Sequence, residues 1–135
     1  MAFFTWKPTY TVGIKDMDTQ HQAMINIINK LYDAMKSGKG SQELGTIISE
    51  MVDYTHFHFS SEEKVLAAAG YPELAKQKAE HAAFIRRVNE FQNQFKQGKL
   101  ALSVEVLGFL KEWWSGHIQG EDKKYSIFLN DKGIH

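Results

Sequence analysis

His21, His58, Glu62, His81, His117 and Asp122 are residue types that bind iron, and each falls inside an otherwise apolar helical stripe. Imidazole and carboxylate are costly to bury in a helical bundle unless something pairs with them, and a pair of metal ions would do so. His58 and Glu62 stand four apart, one turn from each other on a single helix face, and positions 77 and 81 repeat that spacing. His21 and His117 lie on the inward stripes of the first and last helical segments. Asp122 follows His117 by five, near the expected helix end, where the chain could turn its carboxylate inward. Neutral imidazoles with hard carboxylate oxygens suit iron, and bundle interiors accommodate carboxylate-bridged di-metal sites. One histidine on an apolar face is usually an ordinary core residue. Four histidines and two acids sharing the stripes of four helices outweigh that reading. His56, two positions from His58 and so about 200° around the helix, should face away, and His135 ends the chain.

Four segments with helical periodicity must position these side chains. The first, about 18–37, carries His21, Met24, Ile25, Ile28, Leu31, Tyr32 and Met35, with Asp18 as N-cap and Ser37-Gly38-Lys39-Gly40 as its stop. The second, about 41–69, includes Leu44, Ile47, Ile48, Met51, Thr55, His58, Glu62, Val65 and Leu66, and Gly70 ends it. The third, about 72–97, has Pro72 in its first turn and presents Leu74, Gln77, His81, Phe84, Ile85, Val88, Phe91 and Phe95. The fourth, about 101–119, carries Leu102, Val106, Phe109, Leu110, Trp113, Trp114 and His117. Short connections make consecutive helices antiparallel neighbours. The expected fold is all-α: an antiparallel up-down-up-down four-helix bundle with an extended N-terminal arm (about 1–17) and a short C-terminal tail from Glu121. Residues 1–135 read as a single domain. Gly116 suggests close helix approach or early fraying, and Phe57, Phe59, Phe84, Phe91 and Phe95 read mostly as core.

Composition narrows the function. Sixteen basic residues balance sixteen acidic ones, which argues against a nucleic-acid surface or a basic membrane anchor. No stretch approaches the ~20 apolar residues of a membrane helix, and the N-terminus lacks the features of a signal peptide. Cysteine is absent, which excludes disulfides, thiolate metal sites and cysteine nucleophiles and fits a reducing cytoplasm. A soluble monomer is the plainer expectation.

The sequence resembles the hemerythrin family, specifically its stand-alone bacterial members. The matching residues are Val12-Gly13-Ile14, Asp18-Thr19-Gln20-His21, His58-Phe59-Ser60-Ser61-Glu62-Glu63, Tyr71-Pro72, Glu80-His81, Phe84, Trp113, His117-Ile118 and Asp122. They spread from about Trp6 to Tyr125. The resemblance implies two non-haem iron ions that reversibly bind O2. It implies His21 and His58 on the O2-binding iron, with His81, His117 and a third histidine on the other and Glu62 and Asp122 bridging the two.

The chain departs from that pattern twice. Gln77 stands where the third histidine is expected, four before His81. It reads equally as an iron ligand, a weaker and harder donor than imidazole, and as an interior polar residue bonded locally. The second iron is then either retained, with Gln77 or water completing it, or loosely held. Trp114, three before His117, stands where the bacterial relatives commonly carry leucine beside the O2 pocket. It reads as core packing or as an indole that narrows the cavity, and the resemblance places Ile118 in the same pocket. The main functional expectation is O2 binding for storage, delivery or sensing, with O2 or another small ligand as partner. No acid or base beyond the ligands asks for turnover. The alternatives are an iron enzyme acting on peroxide or nitric oxide, raised by Gln77, and an interaction module with a degenerate metal site.

Overall fold

Apolar residues at helical spacing wind into α1 (Lys15–Lys36), α2 (Ser41–Ala69), α3 (Leu74–Lys96) and α4 (Val104–His117), with a further helix, α5 (Lys123–Asp131), behind them. The computed structural model describes residues 3–38, 41–98 and 104–135. The arrangement is the expected antiparallel four-helix bundle. α2 packs on both α1 and α3, and α4 on α1; Phe84 of α3 lies against Phe109 and Trp113 of α4. The shared core runs through Met24, Ile28, Leu31, Ile48, Leu66, Val88, Leu107 and Leu110. The helix end at Gly70 is a Schellman motif. With φ +71° at Gly70, its N–H bonds Ala67 O at 3.1 Å and the Tyr71 N–H bonds Leu66 O at 3.0 Å. No helix among the described residues is long and apolar enough to cross a membrane.

Several boundaries differ from the sequence reading. α1 begins at Lys15, so Asp18 is inside its first turn, where its Oδ1 accepts the Val12 N–H at 2.8 Å. α3 begins at Leu74, which leaves Pro72 in the preceding turn. Phe57 is 55% exposed and does not join the core. A Cβ on Gly116 would meet nothing within 4 Å, so close helix approach does not explain that glycine, and the helix does not fray there. The expected start of the fourth helix at 101, Leu102, and the Lys39-Gly40 stop lie outside the described residues.

The largest difference follows His117. The chain neither ends its helix nor becomes an irregular tail: Ile118–Asp122 form a π turn and α5 continues from it. Such a turn spans one residue more than an α turn, and single π turns often sit at functional sites. It brings Asp122, five residues on, back to His117, with 3.2 Å between His117 Nε2 and Asp122 Oδ1. α5 buries Tyr125 and Leu129 completely. It also holds the arm: Ser126 Oγ donates to Val12 O, and Asn130 Nδ2 donates to Gly13 O. Gly13 has φ +72°, a conformation that favours glycine, and a Cβ there would come within 2.9 Å of Asn130 Oδ1 and push that side chain aside.

The N-terminal arm is therefore part of the core. Phe4 and Val12 are fully buried, and Pro8–Tyr10 make one 3-10 turn. Asn29 of α1 clamps Phe4, accepting its N–H and donating to its carbonyl, each at 2.7 Å. Losing both bonds while the Phe4 ring stays buried leaves two backbone groups short of partners. Asn29→Ala should cost about 1–3 kcal/mol in chemical denaturation; no change in midpoint would mean the Phe4 side chain alone anchors the arm.

Candidate metal centre

Helical periodicity places His21 on α1, His58 and Glu62 on α2, Gln77 and His81 on α3, and His117 at the end of α4. All six are at most 5% exposed, and Asp122 in the π turn is fully buried. The two carboxylates divide their oxygens between two groups of donors. Glu62 Oε2 lies 3.5 Å from His21 Nε2 and 3.4 Å from His58 Nε2, and Asp122 Oδ2 lies 3.2 Å from His21 Nε2. On the other side, Glu62 Oε1 is 3.1 Å from His81 Nε2 and Asp122 Oδ1 is 3.2 Å from His117 Nε2. Two sets of ligand atoms each cluster tightly enough to hold one ion: His21, His58 and Glu62, and Glu62, His81 and His117.

Gln77 belongs to the second group. Its Nε2 donates to Asp122 Oδ1 at 2.6 Å and to Glu62 Oε1 at 3.0 Å, and lies 3.3 Å from His117 Nε2. Its side chain is thus bonded across the bundle and not locally. The amide is long enough to reach the centre, and a half-turn about its last bond would exchange the nitrogen for the oxygen.

The unpartnered atoms test whether these residues suit a metal. Among the described residues, the buried atoms His21 Nε2, His58 Nε2 and Asp122 Oδ2 make no hydrogen bond. Yet each has a nitrogen or oxygen of another site residue close by. These close approaches are not hydrogen bonds, and an unmet buried polar atom costs about 1–3 kcal/mol. A cation shared among them removes that cost. Imidazole with carboxylate and amide oxygen is a donor set that suits iron, so the residues fit.

Electrostatics point the same way. Burial alone would lower His21 and His117, but the neighbouring carboxylates outweigh it. Asp122 and Glu62 raise His21 to about 9, and Asp122, Glu62 and Glu80 raise His117 to about 8. Burial prevails at His58, which stays below its ordinary value despite Glu62. Burial would raise Glu62 and Asp122, and Glu62 adds to that at Asp122, but the imidazoles around them hold both below the usual carboxylate range. The buried carboxylates thus favour protons on His21 and His117, and those imidazoles in turn favour the charged carboxylates. A metal taking this place releases those protons.

Aromatic rings fix the imidazole planes. Phe59 stacks on His81 at 3.8 Å and 2°, and Trp113 stacks on His117 at 4.4 Å and 13°. Trp114 and Ile118 are fully buried, with the Trp114 ring centroid 5.8 Å from that of His58. Sequence reasoning assigned no role to Tyr125, whose hydroxyl donates to Glu62 Oε2 at 2.7 Å. Burial, then the charges of Glu62 and Asp122, push its phenol well above its ordinary value, so it keeps its proton. The signal was present: Tyr125 stands three after Asp122, one helical turn on, and was overlooked because the helix was expected to stop. The outer partners Gln20, Glu63 and Glu80 also received no role, since each bonds a histidine on another helix.

Residues 12–126 match the family model described as the hemerythrin HHE cation binding domain. The chain belongs to the hemerythrin family. A bacteriohemerythrin of Stenotrophomonas maltophilia is 37% identical over 126 residues, covering 93% of this chain and 81% of that one. A bacteriohemerythrin of Methylococcus capsulatus is 31% identical over 131 residues, covering 96% and 99%. The fold is similar to the crystal structure of a wild-type hemerythrin, with a TM-score of 0.87 at 29% identity over 93% of this chain and 96% of that one. Membership implies a non-haem di-iron centre with O2 as its ligand, an oxygen-binding role, and the histidine and glutamate groups described above are positioned for metal binding.

Because a bound cation meets the needs of otherwise unpartnered atoms, it should stabilise the hemerythrin fold. Ferrous ion at 100 times its dissociation constant should add about 2.7 kcal/mol per site to the stripped protein, read as a higher melting temperature under anaerobic conditions. Asp122→Asn should remove most of that gain, and an equal gain in both proteins would place the binding elsewhere.

Proposed function

We propose that this chain captures O2 reversibly, for storage, delivery or sensing, at an iron pair held by seven side chains. His21 and His58 would hold the O2-binding iron, His81, His117 and Gln77 would hold the other, and Glu62 and Asp122 would offer one oxygen to each. The observation that carries this reading is the division of each carboxylate's two oxygens between the two donor groups. The iron pair, when bound, supplies the reversible O2 chemistry. The chain's own residues would hold the metals, surround them with buried apolar side chains and orient the bridging carboxylate. Buried Trp114 and Ile118 line the O2 side, where an apolar wall slows the entry of water. Tyr125 holds its proton on Oη while donating to Glu62, so the bridge stays oriented.

Gln77 favours one second reading. With an amide in place of an imidazole, the second iron gains a more easily displaced ligand, which suits reduction of peroxide or nitric oxide. Steady-state consumption of either by the native chain supplied with a chemical reductant, absent in Gln77→His, would support that alternative. Negligible rates in both would leave binding as the function.

The direct test of the proposal is to load ferrous ion anaerobically, dialyse, count iron and admit air. Two irons per chain with a visible band that reverses on removing O2 is the expected result. One iron per chain, or irreversible oxidation without a reversible band, would contradict it. Trp114→Leu should speed azide and O2 exchange several-fold in stopped-flow measurements; unchanged rates would reduce Trp114 to packing.

A further inference from the structure

The residues next to the metal-binding side chains form a second ring of contacts, and it is uneven. Gln20, beside His21 on α1, reaches α2, where its Oε1 lies 2.7 Å from His58 Nδ1, while its Nε2 donates to Ser61. Glu63, beside Glu62 on α2, reaches α3, with Oε2 2.9 Å from His81 Nδ1. Glu80, beside His81 on α3, reaches α4, with Oε1 3.2 Å from His117 Nδ1. α1, α2 and α3 thus each supply, from the position next to an inner side chain, the acceptor that orients a histidine on the following helix. The pattern stops between α4 and α1. The neighbours of His117 are Gly116 and Ile118, which have no polar side chain, and His21 Nδ1 has no hydrogen-bond partner among the described residues.

The consequence is an imbalance of charge. On the His21 and His58 side, one imidazole is backed by a neutral amide and the other by nothing. On the His81 and His117 side, both are backed by carboxylates. A carboxylate accepting from Nδ1–H fixes the tautomer, leaves Nε2 to the metal and makes that nitrogen a stronger donor. The strengthened pair is the one whose third position is Gln77, the weaker donor.

We propose that Glu63 and Glu80 are positioning residues that compensate for Gln77: their carboxylates strengthen His81 and His117 enough to retain the second iron. This rests on the di-iron reading above. The two carboxylates are partly exposed, at 26% and 35%, so their substitution need not disturb the core. Glu63→Gln and Glu80→Gln also preserve an acceptor oxygen while removing the charge, which separates electron donation from shape.

The experiment is a double-mutant cycle on the iron-loaded protein. Retention of the second iron is measured by chelator competition, and the reduction potential of the centre by spectroelectrochemistry. In the native background, Glu63→Gln and Glu80→Gln should each weaken retention of the second iron by about 10–100-fold and raise the potential. Together they should leave about one iron per chain. Adding Gln77→His should restore two irons and reduce the loss from either glutamate change by an order of magnitude. Within each background, the melting temperature of the stripped protein should change little on substituting the part-exposed glutamates, which checks folding. Equal losses with and without Gln77→His, in a native chain that holds two irons, would overturn compensation alone. No loss in either background would do the same. A native chain that never holds two irons would overturn both this proposal and the di-iron reading.

Discussion

Two carboxylates, Glu62 and Asp122, sit side by side in the middle of the bundle without access to water, and the rest of the centre answers that placement. A buried carboxylate pair is untenable without positive charge and donors around it. Four imidazoles, one amide and one phenol from every layer of the bundle converge to supply them. Protons on His21 and His117 can balance the charge. Even so, His21 Nε2, His58 Nε2 and Asp122 Oδ2 make no hydrogen bond. Divalent cations answer both needs together, which is why a site so expensive to bury can belong to a stable fold.

The architecture outside the centre serves the placement of Asp122. The π turn returns its carboxylate to His117, and α5 must then lie where its apolar face is covered. Leu129 and Tyr125 are buried there, and α5 in turn grips the arm through Val12 and Gly13. Arm, π turn and α5 are thus tied together, although 114 positions separate Val12 from Ser126 in the chain. Disturbing Gly13 or Asn130, both distant from the iron donors, would be felt at the bridge through α5.

The sequence revealed much of this because helical spacing is a strong signal. His58 with Glu62, and Gln77 with His81, share helix faces by arithmetic alone, and the structure brings all seven named side chains together. What escaped detection has a common cause. The π turn breaks the 3.6-residue rule, so the fourth helix reads as ending near 119 with a short tail after it, which hides both α5 and Tyr125. Asp18 looked like a cap because short polar residues favour that position, but its carboxylate serves the arm three residues inside the helix. The outer acceptors Gln20, Glu63 and Glu80 act between helices, where periodicity along one helix carries no information. Gln77 was read with two possible roles, and its cross-bundle bonds to both carboxylates replace the local bonding that one of them assumed.

The central claim is that Glu62 and Asp122 each lie between two metal ions. Anomalous scattering at the iron edge, from crystals of protein loaded anaerobically with ferrous ion, tests it most directly. The account requires two peaks per chain, one beside His21 and His58 and the other beside His81 and His117, with both carboxylates between them. A single peak, or iron bound away from these carboxylates, would contradict it.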